Sequence, residues 1–138
     1  MSEVYLGNPN LKKANTPIEF SQENILEFMR CKEDPVYFAN KHIKIVSIDE
    51  GLVPFRMYPF QKKLISNFHE NRFNICKMPR QTGKSTTVVS YLLHYAVFND
   101  NINIAILANK ASTARDLLGR LQLALSLIHI SEPTRQLQ

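Results

Sequence analysis

The tripeptide Gly83-Lys84-Ser85 is the part of this chain whose residue types and spacing could do chemistry. The run FNICKM at 73–78 reads as a short buried strand, and MPRQTGKS reads as the loop that follows it. Residues 84–98 read as a helix with Val88, Val89, Leu92, Leu93 and Tyr95 at apolar positions. Strand, loop and helix with Gly-Lys-Ser at the turn is the setting of a phosphate-binding loop. Glycine admits phosphate oxygens close to the backbone because no Cβ is in the way. Successive N–H groups and the helix N-terminus then form a positive concavity. Lys84 would reach the β- and γ-phosphates of a nucleotide such as ATP, and the Ser85 hydroxyl would ligate Mg²⁺. Gln81, Thr82 and Thr86 complete the binding stretch. The motif is imperfect, because its first glycine falls at Met78. The plainer reading is a tight turn at Gly83, but that leaves Lys84 at the positive end of a helix, where a cation is disfavoured.

Two neighbours extend the pattern. Arg80 lies in the loop, where a guanidinium could contact the γ-phosphate and steady transition-state charge. A surface ion pair or solvent exposure accounts for it equally well. Upstream, Phe60-Gln61 opens a helix. An aromatic face could stack on adenine, and an amide could pair with the base edge. For Phe60 the helical spacing fits core packing more simply.

Other elements must position these groups. Residues 1–20 read as a polar extended arm. Ser21 caps a helix with Ile25, Leu26, Phe28 and Met29 on one face, and Asp34-Pro35 starts a second helix carrying Val36, Tyr37, Phe38 and Ile43. IKIVSI at 43–48 reads as a strand, Asp49-Glu50-Gly51 as a turn, and LVPFRMY as a returning hairpin arm. Pro59 opens a helix with Phe60, Leu64, Ile65 and Phe68 on its apolar side and Gln61, Lys62 and Lys63 largely elsewhere. INIAILA at 102–108 reads as a strand buried on both faces, and a last amphipathic helix carries Leu117, Leu118 and Leu121. The order strand, loop, helix, strand, helix predicts an α/β fold: an incomplete P-loop, RecA-like parallel sheet with a right-handed crossover and an N-terminal helical arm.

Composition narrows the function classes. The 138 residues suit one modest domain and exclude a multidomain enzyme within this length. Lys plus Arg total 17 against 12 Asp plus Glu, a net charge of +5 that is compatible with a polyanionic partner. No apolar run approaches a membrane span, and no signal peptide opens the chain, so the expected location is cytoplasmic. Cys31 and Cys76 read as reduced, buried thiols. The histidines at 42, 69, 94 and 129 are scattered and show no metal-ligand spacing.

The stretches YLGNPNLKKANTPIEF, EDPVYFANKHIKIVSIDEGLVPFRMYPFQ, PRQTGKST and ILANKASTARDLLGRLQ resemble the N-terminal ATPase region of the large terminase subunit of tailed bacteriophages, of the myovirus type. The resemblance spans nearly all of residues 4–124 and includes a loop that lacks its first glycine and carries an arginine, Arg80. It implies a DNA-packaging motor: a RecA-like ATPase followed by a nuclease domain, using ATP and Mg²⁺. It also implies double-stranded DNA, the portal protein and the small terminase subunit as partners, an oligomeric ring, and action in the host cytoplasm at the procapsid portal. By resemblance, Phe60 and Gln61 match the adenine motif, Lys84 and Ser85 the phosphate and Mg²⁺ positions, and Arg80 the cis-arginine. The family's aromatic is often tyrosine. No later apolar strand ending in Asp-Glu follows, so the catalytic carboxylates are missing. Asp49-Glu50 precedes the loop and reads as a hairpin turn.

Residues 125–135, LSLIHISEPTR, resemble the in-frame translation of a sequencing-library adapter. The expected organisation is therefore an arm, helices and hairpin at 1–58, a partial ATPase core at 59–124, and a non-native tail at 125–138, whose plainer reading is an amphipathic strand over Leu125–Ile130. The competing functions are a superfamily-two helicase fragment, which Arg80 and the GNPNLKK arm disfavour, and a non-catalytic nucleotide-binding or interaction fragment. A partial parallel sheet leaves strand edges open. Residues 1–124 alone are thus expected to be poorly stable, and a sharp cooperative thermal transition of that purified fragment would refute the expectation.

Overall fold

Helix-start chemistry organises the chain. In the computed structural model, which describes residues 4–5, 8–12 and 20–128, helix α1 spans Gln22–Glu33 and begins where Ser21 Oγ accepts the Asn24 N–H at 3.2 Å. Helix α2, Pro35–His42, follows after one residue. Asp34 ends α1 and caps α2, its Oδ1 accepting the N–H groups of Val36 and Tyr37 at 2.9 and 3.0 Å. A shared cap of this kind fixes the α1–α2 corner by satisfying donors that a helix start leaves open.

Two antiparallel ribbons precede the next helix. Strands β1 (Val4–Tyr5) and β2 (Asn8–Lys12) pair with each other. Strands β3 (Lys44–Ser47) and β4 (Gly51–Pro54) form the expected hairpin, with Lys44 opposite Pro54 and Ser47 opposite Gly51. Asp49 and Glu50 lie in its turn, and Gly51 takes a φ of +73°, a conformation glycine adopts without a Cβ penalty. Ile43, Phe55 and Met57 anchor the base of the hairpin in the core.

Helices α3 (Pro59–Glu70), α4 (Lys84–Phe98) and α5 (Ala111–Ser126) complete the fold. Helix α4 is the hub, packed against α2, α3 and α5. Its buried residues, Thr87, Val89, Ser90, Leu93, His94, Val97 and Phe98, lie on one half of its circumference. Phe98 meets Phe28 and Phe38 at ring-centroid distances of 5.1 and 5.4 Å, the latter edge to face. The core continues through Cys31, Phe38, Ile65 and Leu93 to Ala124 and Ile128. Of the segment that resembles adapter sequence, 125–126 continue α5 and Ile128 is buried, so 125–128 do not form the alternative strand. Residues 129–138 lie outside the described residues, as does part of the N-terminal arm.

The expected parallel α/β sheet is absent among the described residues, whose strands form only two antiparallel pairs. Residues 73–78 and 102–108 pair with no described strand. A strand exists only as one side of a ladder, and apolar composition supplies the propensity without the partner. Most of their side chains are accordingly out in solvent, with Phe73 83% and Leu107 89% exposed, while Met78, Ile102 and Ile106 are half-buried. Three smaller expectations also fail. Ile25, Leu26 and Met29 are exposed and only Phe28 of that set packs on the core. Cys76 is exposed while Cys31 is buried. Gln61, not Phe60, joins Leu64 and Ile65 on the buried side of α3.

His94 ties the core to α1. Its Nε2–H donates to the Cys31 carbonyl at 2.8 Å, which leaves Nδ1 as a buried lone pair without a hydrogen-bond partner. Burial lowers its pKa below the ordinary 6.5, with the Cys31 carbonyl opposing and neighbouring His69 assisting. The unfolded chain therefore takes up this proton first as pH falls. The neutral ring's contribution is complete above 6.5 and is lost as pH drops through that value toward the lower folded pKa. In His94→Phe, urea-unfolding stability is expected to vary less between about pH 7 and 5 than in the parent chain, that being the range in which ordinary histidine titrates. An unchanged slope would assign the pH dependence elsewhere.

Candidate functional site

The loop between α3 and α4 is held by one amide. Gln61 sits in the first turn of α3 and is 2% exposed. Its Oε1 accepts the Tyr58 N–H at 2.9 Å, which caps the helix start, and its Nε2 donates across to the Thr82 carbonyl at 3.4 Å. The same amide lies against Gly83. A Cβ built on Gly83 would stand 2.6 Å from Gln61 Nε2, and Gly83 has a φ of +72°. Both the contact and the left-handed backbone require glycine there.

Gly83 is the N-cap of α4, and Lys84 is its first residue. No acidic residue occupies the first turn. Lys84 Nζ donates back over the loop to the Met78 carbonyl at 3.4 Å, and Thr82 Oγ1 donates to the Pro79 carbonyl at 3.1 Å. Gln81 has a φ of +61°, the second left-handed residue within three positions. Ser85 and Thr86 are half-buried in the first turn of α4, and Thr86 contributes its carbonyl to Ser90 Oγ. Arg80 is exposed, and neither it nor Lys84 is in an ion pair with a described residue. The loop therefore gathers Gln61, Thr82, Gly83 and Lys84, with Arg80 projecting from it.

Phe60 is 43% exposed and stacks on the exposed Tyr58, with centroids 5.9 Å apart and planes 6° from parallel. The core-packing expectation for Phe60 is thus corrected: position 61 turns inward because its amide bridges two backbone groups, which rotates Phe60 to the rim. Tyr58 was not among the sequence candidates. Its signal was faint, an aromatic two residues before another across a helix-starting proline.

A second constellation escapes sequence reasoning altogether. Glu27 and Cys31 face the same side of α1, and His42 ends α2. Their ligand-type atoms lie within 4.8 Å of one another. Glu27 Oε1 accepts from Lys41 Nζ at 2.8 Å, His42 Nε2 at 3.2 Å and Cys31 Sγ at 3.6 Å, and Tyr37 Oη donates to the same carboxylate at 3.0 Å. The Lys41 ammonium, with Tyr37 and His42, holds the Glu27 carboxyl down at about 2 against the cost of burial. Burial, reinforced by the Glu27 charge, pushes the Cys31 thiol up to about 12. Lys41 is raised to about 12 by Glu27 and Tyr37.

No protein-family model matches the chain. No described helix is long and apolar enough to cross a membrane.

The Gly83–Gln61 contact makes a direct prediction. Gly83→Ala is expected to lose roughly 1–2 kcal/mol from the left-handed backbone alone, and more from displacing Gln61. Adding Gln61→Ala removes the clash, so the double variant should be less destabilised than the sum of the singles in urea unfolding. Strict additivity would mean the amide yields without cost.

Proposed function

We propose that this chain forms the nucleotide-binding front of an ATP-driven DNA-packaging motor of the large-terminase type. The observation that carries the reading is the start of α4, where a left-handed glycine opens a helix whose first turn has no carboxylate, and where Arg80 and Lys84 have no ion-pair partner among the described residues. A helix N-terminus is a favourable place for an anion, and Lys84 and Arg80 add charge to it. The reading does not rest on a parallel sheet.

In this reading Lys84 leaves the Met78 carbonyl for the β- and γ-phosphates, and Gln81, Thr82, Gly83 and Thr86 supply the surrounding backbone. Ser85 would hold Mg²⁺ through its hydroxyl. Arg80 would lie over the terminal phosphate, as a cis-arginine does. The exposed Phe60–Tyr58 stack offers a π face to the adenine. Gln61 already uses both ends of its amide, so a hydrogen bond to the base exchanges one of these and otherwise Gln61 sets the loop. Asp49 and Glu50 belong to the hairpin turn, and neither is assigned to water activation, so the proposal for this stretch is binding and not hydrolysis. Double-stranded DNA, the portal protein, the small terminase subunit, a ring assembly and a site of action at the procapsid in the host cytoplasm belong to the same reading through the resemblance.

A fluorescent ATP analogue titrated with Mg²⁺ into the 138-residue chain tests the reading. Saturable binding that ATP competes is expected, weakened at least about tenfold in Lys84→Ala, as loss of a charge-assisted contact entails. Absence of saturable binding, or equal binding by Lys84→Ala, overturns it.

A further inference from the structure

We propose that Glu27, Cys31 and His42 form a binding site for a thiophilic divalent cation, Zn²⁺ above all, at the α1–α2 corner. The three side chains come from a single rigid unit: Glu27 and Cys31 are four residues apart on one helix face, and the Asp34 double cap fixes α2 and hence His42 against them. Two of the three separations suit a metal, and all three ligand atoms lie within 4.8 Å of one another. Ligands about 2.0–2.3 Å from a tetrahedral Zn²⁺ lie about 3.3–3.6 Å from one another. The carboxylate oxygen is 3.2 Å from His42 Nε2 and 3.6 Å from Cys31 Sγ. A thiol, an imidazole and a carboxylate together are the donor set of a borderline-soft ion and not of Mg²⁺ or Ca²⁺.

A cation already occupies this corner in the form of Lys41, whose ammonium sits 2.8 Å from the same oxygen and is half exposed. A metal entering from solvent would displace that flexible side chain. Cys31 releases its thiol proton to water as the metal–sulfur bond forms. As the ion enters, His42 gives up the Nε2–H···Glu27 Oε1 hydrogen bond and takes the Nδ1–H tautomer, so that the Nε2 lone pair bonds the ion. Water takes the fourth position. Below the site the Cys31 backbone is held by His94, through the 2.8 Å bond to the Cys31 carbonyl. That bond keeps the sulfur-bearing residue in register whether or not the side chain is metallated.

The test is titration of Co²⁺ into the full chain. Expected are a thiolate-to-Co²⁺ absorption in the near ultraviolet, tetrahedral bands in the visible, and their removal by added Zn²⁺. The absorption should persist in Cys76→Ser and vanish in Cys31→Ser. Affinity should fall at least about tenfold in His42→Gln, in line with the sensitivity of metal sites to their supporting groups, and rise in Lys41→Met, which removes the competing ammonium while keeping the stem. The Lys41 variant separates the proposal from a purely structural network, which its loss would only loosen. No thiolate absorption, or an absorption that survives Cys31→Ser and disappears with Cys76→Ser, overturns the assignment. Should Cys31→Ser fail to fold, the opposite responses of His42→Gln and Lys41→Met decide, and equal affinities in both and in the parent chain reject the site.

Discussion

The burial of α4 is the constraint on which the rest of the described fold depends. The buried face of a helix cannot leave polar side chains unsatisfied, yet Thr87, Ser90 and His94 lie in that of α4. Two of them turn back on their own helix. Thr87 Oγ1 donates to the Gly83 carbonyl at 2.9 Å, and Ser90 Oγ to the Thr86 carbonyl at 2.8 Å. His94 instead reaches α1. One helix thereby fixes the geometry of the loop at its N-terminus and the position of Cys31 beside its middle. Among the described residues the cost is concentrated at one side-chain atom, the unpartnered Nδ1 of His94.

The absence of the parallel sheet follows from the same economy. Helices satisfy their own backbones, so α2, α3, α4 and α5 enclose a core without strand partners. Segments 73–78 and 102–108 lead into and out of α4 without pairing to any described strand, most of their apolar side chains in water. Each has the composition of a buried strand, and in neither does composition create the neighbour that a ladder needs. A row of open N–H and C=O groups beside exposed Phe73, Ile75 and Leu107 is the kind of edge that invites pairing with another chain.

What could be read in the sequence was local. Ser21, Asp34-Pro35 and Pro59 announced helix starts through chemistry confined to a few neighbouring residues, and Asp49-Glu50-Gly51 announced a hairpin in the same way. The start of α4 at Lys84 was legible for that reason, since Gly83 marks it. Non-local facts were not legible. The inward turn of Gln61 depends on a carbonyl 21 residues away, and the meeting of Glu27 with His42 on a hydrogen bond across 15 residues. Histidines counted along the chain looked scattered because the helices that gather them leave no periodic trace spanning the corner.

The two charged constellations differ in how far their charges are met within the fold. At the α1–α2 corner the Glu27 carboxylate is met by an ammonium, a phenol, an imidazole and a thiol, and its low pKa measures that surplus of donors. At the α4 N-terminus the balance runs the other way. Lys84 adds a positive charge to the positive end of a helix, and among the described residues its ammonium has only the Met78 carbonyl, 3.4 Å away, as a partner. Arg80 stands free of ion pairs among the described residues. A fold selected for stability alone gains by placing a carboxylate in that first turn, and none is there. An anion arriving from solution would supply the missing negative charge, beside a loop in which Gln81 already holds a left-handed backbone that side chains rarely adopt.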